Sequence, residues 1–155
     1  MTTVYDVPPD KLAKRVAEKL KKNKAIHLPK WAMEVKKGAN KELPPQESDW
    51  WWMRCASVLR QIYLHGPVGV SRLRTYYGSR VRRGAKPERF REASGKIIRE
   101  VLHQLEDEKA GEGFVTKTKR GRIISPKGQS FLDDTAHELK KEDAKQDGTG
   151  VKDGR

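Results

Sequence analysis

The chain has 155 residues, 35% apolar and 35% charged, with a formal net charge of +13 and a pI near 9.9. That length suits one domain with extensions, and the excess of cations points to a polyanionic partner, nucleic acid before an anionic membrane surface. The single cysteine, Cys55, excludes an internal disulfide framework, no apolar run reaches bilayer length, and the start MTTVYDVPPDK lacks a signal-peptide pattern, so a soluble cytoplasmic protein is expected.

Residues 1–9 read as extended up to Pro8-Pro9, and Asp10 is placed to cap a helix over 10–23. Leu12, Val16 and Leu20 form its apolar line, and lysines cover the other faces. Residues 24–47 form a connector in which Pro29 starts a short helical piece and Trp31 and Val35 can bury it. Lys36, Lys37 and Lys41 make the rest either a contact loop or a solvated linker.

Residues 48–67, SDWWWMRCASVLRQIYLHGP, organise the chain. Ser48 or Asp49 can cap a helix that His65-Gly66-Pro67 ends, and Trp51, Cys55, Val58, Leu59 and Ile62 make one apolar stripe. Arg54, Ser57, Arg60 and Gln61 fall outside it. A short helix follows at 69–77. Residues 78–91, with little apolar content and two glycines, read as a basic loop. A helix over 92–109 buries Ile97, Ile98, Val101, Leu102 and Leu105. Residues 112–125 switch to short β-branched runs about Lys119-Arg120-Gly121, a hairpin signal. Ser125-Pro126 then caps and starts a helix to about 141, burying Phe131, Leu132, Ala136 and Leu139. From Glu142 the sequence has almost no apolar residues and reads as a disordered tail. The expected fold is mainly α: a helical bundle around a central amphipathic helix, winged-helix-like, with a small β-hairpin wing at 113–124. The expected division is a helical RNA-binding domain over 1–142 and a polar tail over 143–155.

Residues 54–99 hold twelve Lys or Arg against two acids, a net +10 of the chain's +13. Most of these are arginines, which fork onto phosphate oxygens and stack on bases. Aromatics interleave with them. Trp50 is expected to be partly exposed and Trp51 to be core, with Trp52 assigned to neither; Tyr77 and Phe90 are assigned to the core. The candidate RNA-binding set is Trp50, Arg54, Arg60, Arg72, Arg80, Arg82, Arg83, Lys86, Arg91, Lys96 and Arg99. The wing's Lys117, Lys119, Arg120 and Arg122 are either phosphate contacts or a solvated turn. His27, His65, His103 and His137 lack metal-ligand spacing, and no glycine-rich phosphate loop is present, so no catalytic residue, metal or cofactor is expected.

The run Trp50, Arg54-Cys55-Ala56-Ser57, Arg60, Tyr63-Leu64, Gly66 and Gly69-Val70 resembles the signature of ribosomal protein family S-nineteen-e of archaea and eukaryotes. So do Tyr77-Gly78, Arg80, Pro87, Phe90 and Ser125-Pro126-Lys127-Gly128-Gln129. Upstream, Val4-Tyr5-Asp6-Val7, Pro29, Trp31 and Lys41-Glu42-Leu43 extend the resemblance over nearly the whole chain. It implies a mostly helical protein related to winged-helix domains, seated in the head of the small ribosomal subunit. Its implied partners are small-subunit rRNA and neighbouring head proteins; in eukaryotes the family also serves precursor-rRNA maturation. The family's basic patch would fall on Trp50, Arg54, Arg60 and Arg99. Two features depart from the pattern: Arg99-Glu100 stands where some relatives have a basic pair, and the acidic tail has no clear counterpart. The chain is expected to be monomeric away from the ribosome, with no membrane association. The competing reading is a winged-helix DNA-binding regulator with 92–109 in a major groove, against which stands the spread of arginines over several elements.

Overall fold

The central stretch folds as α2, Trp50–His65, and the other helices gather around it in the computed structural model, which describes residues 2–106 and 113–149. Gly66 ends the helix at φ 65°, a backbone that glycine adopts without a Cβ clash. Asp49 occupies the N-cap position, but its side chain makes no capping bond; its carboxylate instead takes the Lys21 ammonium at 2.7 Å. The buried face is wider than one stripe. Trp50, Trp51, Cys55, Ala56, Val58, Leu59, Gln61 and Ile62 are all buried, because α2 packs against elements on several sides rather than on one.

The N-terminus is not extended throughout. Val4–Asp6 form a single 3-10 turn in which the Asp6 carboxylate accepts the Thr3 backbone N–H at 2.7 Å, and Val4 and Val7 are buried. Helix α1 starts at Pro9 and runs to Lys21, so Asp10 lies within its first turn rather than capping it. Leu12, Val16, Ala17 and Leu20 face α2. In the connector only Lys30–Met33 is helical, as a 3-10 turn; Ala32 is buried, Trp31 is half-buried and Val35 is exposed.

The winged-helix order continues with α3, Val70–Tyr76. Residues 79–91 are a second hairpin, β1 (Ser79–Arg83) with β2 (Lys86–Arg91), where a basic loop was predicted. Helix α4 is Gly95–Glu106; the predicted continuation to 109 lies outside the described residues. The wing is β3 (Val115–Thr118) and β4 (Gly121–Ile124), and Val68 bridges Arg122 through two 3.0 Å backbone bonds as its outer rung. Buried α4 residues are those expected from its period, with Gln104 added.

Helix α5 runs from Pro126 to Thr149, past the predicted end near 141; residues 150–155 of the predicted tail lie outside the described residues. Around the predicted end the helix is tied to α1 by ion pairs. Glu138, Glu142 and Asp143 pair with Lys19 (2.6 Å), Arg15 (2.7 Å) and Lys11 (3.0 Å) of α1. The acids that suggested a tail thus answer the lysine-rich helix. Exposed pairs are individually weak, about 0.2–1 kcal/mol, but here they form a row along two packed helices.

Ser125 caps α5 as predicted: its hydroxyl accepts the Gly128 N–H at 3.1 Å and donates to the Gly113 carbonyl at 2.7 Å. A Cβ at Gly128 would run into the Phe114 carbonyl and stand 3.0 Å from Ile124. Gly128→Ala is therefore expected to destabilise by about 1–3 kcal/mol through overpacking, seen as a lower thermal midpoint. A midpoint equal to wild type would contradict this packing.

Candidate nucleic-acid interface

The β1–β2 hairpin carries the densest free charge. Ser79 pairs with Arg91, Arg80 with Phe90, Val81 with Arg89 and Arg83 with Lys86, with an irregularity between Val81 and Arg83. Every residue of β2 is exposed. A two-stranded ribbon without an apolar face is marginal in water, so its base must anchor it. There the Ala93 N–H donates to the Arg74 carbonyl at 3.0 Å, the Arg74 Nε donates back to the Ala93 carbonyl at 3.2 Å, and Gly38 bridges Ala93. Asn40 also bonds Ser79. Gly78 is required here, because a Cβ would lie 2.6 Å from both the Arg91 carbonyl and the Phe90 ring.

Among the described residues, Arg80, Arg83, Lys86, Arg89 and Arg91 make no ion pair, and Arg82 reaches Glu88 only at 3.9 Å. Arg74 is the neutralised member of the block, held by Glu92 at 3.0 Å. The contrast with α1 is direct. Its cations Lys11, Arg15, Lys19 and Lys21 are answered by acids of the same chain, while those of the hairpin project into solvent.

The members from α2 sit deeper than expected. Trp50 is buried at 2% exposure, which corrects its assignment as the exposed tryptophan. Its ring packs edge-on against Trp51 at 5.3 Å, and the Lys37 ammonium covers it at 5.3 Å. Lys37 of the connector closes over this end of α2, which the helical period alone could not reveal. Trp52 is half-buried and donates its Nε1–H to the Ile26 carbonyl at 3.0 Å. Arg54 is half-buried with its guanidinium over the Tyr77 ring at 4.2 Å. Burial pulls the Arg54 pKa down, and burial followed by the nearby Arg54 charge does the same to Lys37. Trp50 Nε1, Arg54 Nη1 and Arg60 Nε are enclosed without a hydrogen-bond partner among the described residues. Unpaired buried donors of this kind call for a partner.

Of the other predicted residues, Arg72, Arg80, Arg82, Lys86, Arg91, Lys96 and Arg99 are exposed and Arg83 is half-buried. Lys96 lies 4.3 Å over the Trp31 ring. Arg99 and Arg74 both lie within 3.4 Å of where a Gly95 side chain would begin, so α3, α4 and the hairpin base contribute to one basic surface. On the wing, Lys117, Lys119 and Arg120 are exposed, but Arg122 is turned inward onto Glu106. Three residues were missed. Phe90, assigned to the core, is 51% exposed opposite Arg80, because the hairpin has no core side to receive it. Arg89 belongs with the unpaired hairpin cations, and Lys37 joins Trp50 and Arg54. The overlooked signal was Gly84-Ala85, a two-residue turn with positive φ at Gly84.

No helix among the described residues is long and apolar enough to cross a membrane, and no group of His, Cys, Asp or Glu among them is arranged to hold a metal ion. Cys55 is buried, and burial raises its thiol pKa far above the usual range.

The family model described as Ribosomal protein S19e matches residues 3–142. A small ribosomal subunit protein eS19 from Aeropyrum pernix is 46% identical over 145 residues, covering 92% of each chain. Proteins of the same name from Thermoplasma volcanium and Haloarcula marismortui are 43% and 42% identical, covering 95% and 90% of this chain and 95% and 92% of their own. With near-complete coverage on both sides and the matched region spanning every packed element, the chain belongs to the ribosomal protein S19e family.

Proposed function

We propose that the chain is a structural, non-catalytic constituent of the small ribosomal subunit that clamps rRNA in the subunit head and serves subunit assembly and rRNA maturation. The observation that carries this reading is the split between its two basic surfaces. Four cations of helix α1 are paired within the chain, whereas among the described residues the hairpin cations other than Arg82 have no answering acid and await an external polyanion. Arginines neutralising phosphates release counterions, and the rigid helical core holds them in register. Half-buried Arg54, stacked on Tyr77 with its Nη1 enclosed and unpaired, would find in a phosphate the anion that a partly desolvated guanidinium needs. Neighbouring head proteins complete the partner set, the RNA-binding unit is residues 1–142, and the setting is the cytoplasmic ribosome.

The DNA-regulator reading is weaker on the same ground. In a winged helix the major groove receives the helix before the wing. Here that helix exposes few base-reading side chains, chiefly Lys96, Arg99 and His103, and the cations concentrate on the inserted hairpin. Sedimentation of the tagged chain with ribosomal subunits tests the proposal. It is expected to travel with small subunits at low salt and to leave them as salt rises. A chain that stays in the free-protein fraction at low salt, or prefers one duplex DNA sequence over structured rRNA, would sink it.

A further inference from the structure

At the C-terminal end of α2 a recess of about 290 Å³ opens between Gln61 and His65 of α2, Val68, and Arg72, Leu73 and Tyr76 of α3. Val68 and Leu73 are buried apolar groups at this recess, and Tyr76 is 58% exposed beside them. The Tyr76 ring is nevertheless held fast. Its hydroxyl accepts the Gln61 Nε2–H at 2.8 Å, and its ring packs edge-on against Tyr77 at 4.9 Å and 89°. Tyr77 is itself fixed, sharing a 2.7 Å hydrogen bond with Ser57 and carrying Arg54 on its ring face. A chain of contacts therefore runs from Arg54 through Tyr77 and Tyr76 to Gln61. Arg72 and His65 stand exposed at the rim and make no ion pair among the described residues.

An exposed tyrosine is ordinary. An exposed tyrosine immobilised at two points, over an apolar floor and beside an unanswered arginine, is a stacking platform whose ordering cost is already met by the fold. We propose that this recess receives one unpaired nucleobase of the bound RNA. The base stacks on Tyr76 above Val68 and Leu73, and Arg72 meets the adjoining phosphate or covers the base edge. Single-stranded RNA is recognised in this way, by aromatic or guanidinium planes combined with backbone cations. The occupant is a base and not an apolar protein side chain because the rim is cationic and the recess is contiguous with the Arg54 patch. Val68 also bridges the wing at Arg122, so the recess lies beside that hairpin. The inference rests on the rRNA-binding reading and adds to it a contact with RNA that is not paired.

The test uses the full chain and its Tyr76→Ala, Tyr76→Leu and Tyr76→Phe variants, titrated with a single-stranded oligouridylate and with an RNA duplex of the same length. Thermal melts confirm folding, and Tyr76→Leu keeps the bulk should Tyr76→Ala unfold. The Ala and Leu variants should lose about tenfold in affinity for the single strand and change little on the duplex, while Tyr76→Phe, which keeps the ring but loses the Gln61 bond, should lose less than either on the single strand and match wild type on the duplex. An oligonucleotide bearing 4-thiouridine should crosslink within residues 61–76. Equal losses on both RNAs, or a Leu variant that binds like wild type, would overturn the base recess. If the wild-type chain binds both RNAs and all Tyr76 variants match it, the recess assignment alone fails. A wild-type chain that binds neither RNA takes the rRNA reading down with it.

Discussion

Replacing Arg80, Arg82 and Arg89 together by alanine is expected to weaken binding to small-subunit rRNA on the order of 100-fold at moderate salt. The thermal midpoint should barely move. Each is exposed on a ribbon that contributes nothing to the core, and Arg82 gives up only a 3.9 Å contact with Glu88. Each lost charge-assisted phosphate contact is taken at roughly 1 kcal/mol after competition from water. The sharper signature is the salt dependence. Removing three phosphate contacts should lower the slope of log K against log salt by about 2–3, at roughly 0.7–0.9 per contact. The control is Lys11 and Lys14 of α1 together with Lys22 at its C-cap changed to alanine, the same charge removed from the other basic surface. That variant should keep most of the affinity. Equal losses from the two triples would mean that net charge, and not the hairpin, drives binding.

The sequence was informative where burial imposes a period and silent where it does not. Helices α2 and α4 and the wing carry apolar residues at fixed intervals, and their registers were legible. The β1–β2 ribbon buries neither face, so its strands carry arginines where a half-buried strand would carry apolar residues, and they read as loop. Phe90 was misplaced for the same reason: an aromatic between two arginines belongs to a core only if the segment has one. Trp50 failed in the opposite direction. One apolar stripe was visible on α2, but Lys37 and the connector bury the neighbouring face, a long-range contact outside any helical window. The acidic C-terminal stretch likewise looked solvated until its carboxylates met α1, more than a hundred residues upstream in the chain. The charge count picked out the region where the unpaired cations gather, because a net excess needs no register to be seen. Which arginines are free required the ion pairs.

Trp51→Ala is expected to cost about 3–5 kcal/mol, the range for emptying a fully buried large aromatic site. Trp51 is 0% exposed at the point where the connector, α2 and α4 converge. Its ring meets Trp31 edge-on at 5.9 Å and Trp50 at 5.3 Å, so both neighbours lose a wall. Its Nε1–H donates to the Gln104 Oε1 at 3.0 Å, and the Gln104 Nε2–H holds the His27 carbonyl at 3.1 Å. Deleting the indole leaves a buried amide oxygen without its donor, a penalty of about 1–3 kcal/mol where the gap cannot close. Against a total stability of roughly 5–15 kcal/mol, the variant should sit near its unfolding threshold at physiological temperature. Trp51→Phe separates the two parts. It keeps most of the ring and loses only the donor, so its midpoint in urea, followed by far-ultraviolet circular dichroism, should fall between those of Trp51→Ala and wild type. Trp50→Phe should cost less than Trp51→Phe, because the Trp50 Nε1 has no partner among the described residues to lose. On rRNA the order should reverse, since Trp50 shares its surroundings with Lys37 and Arg54 while Trp51 faces only protein. A Trp51→Ala chain with a wild-type urea midpoint would contradict the placement of this ring at the convergence of the core.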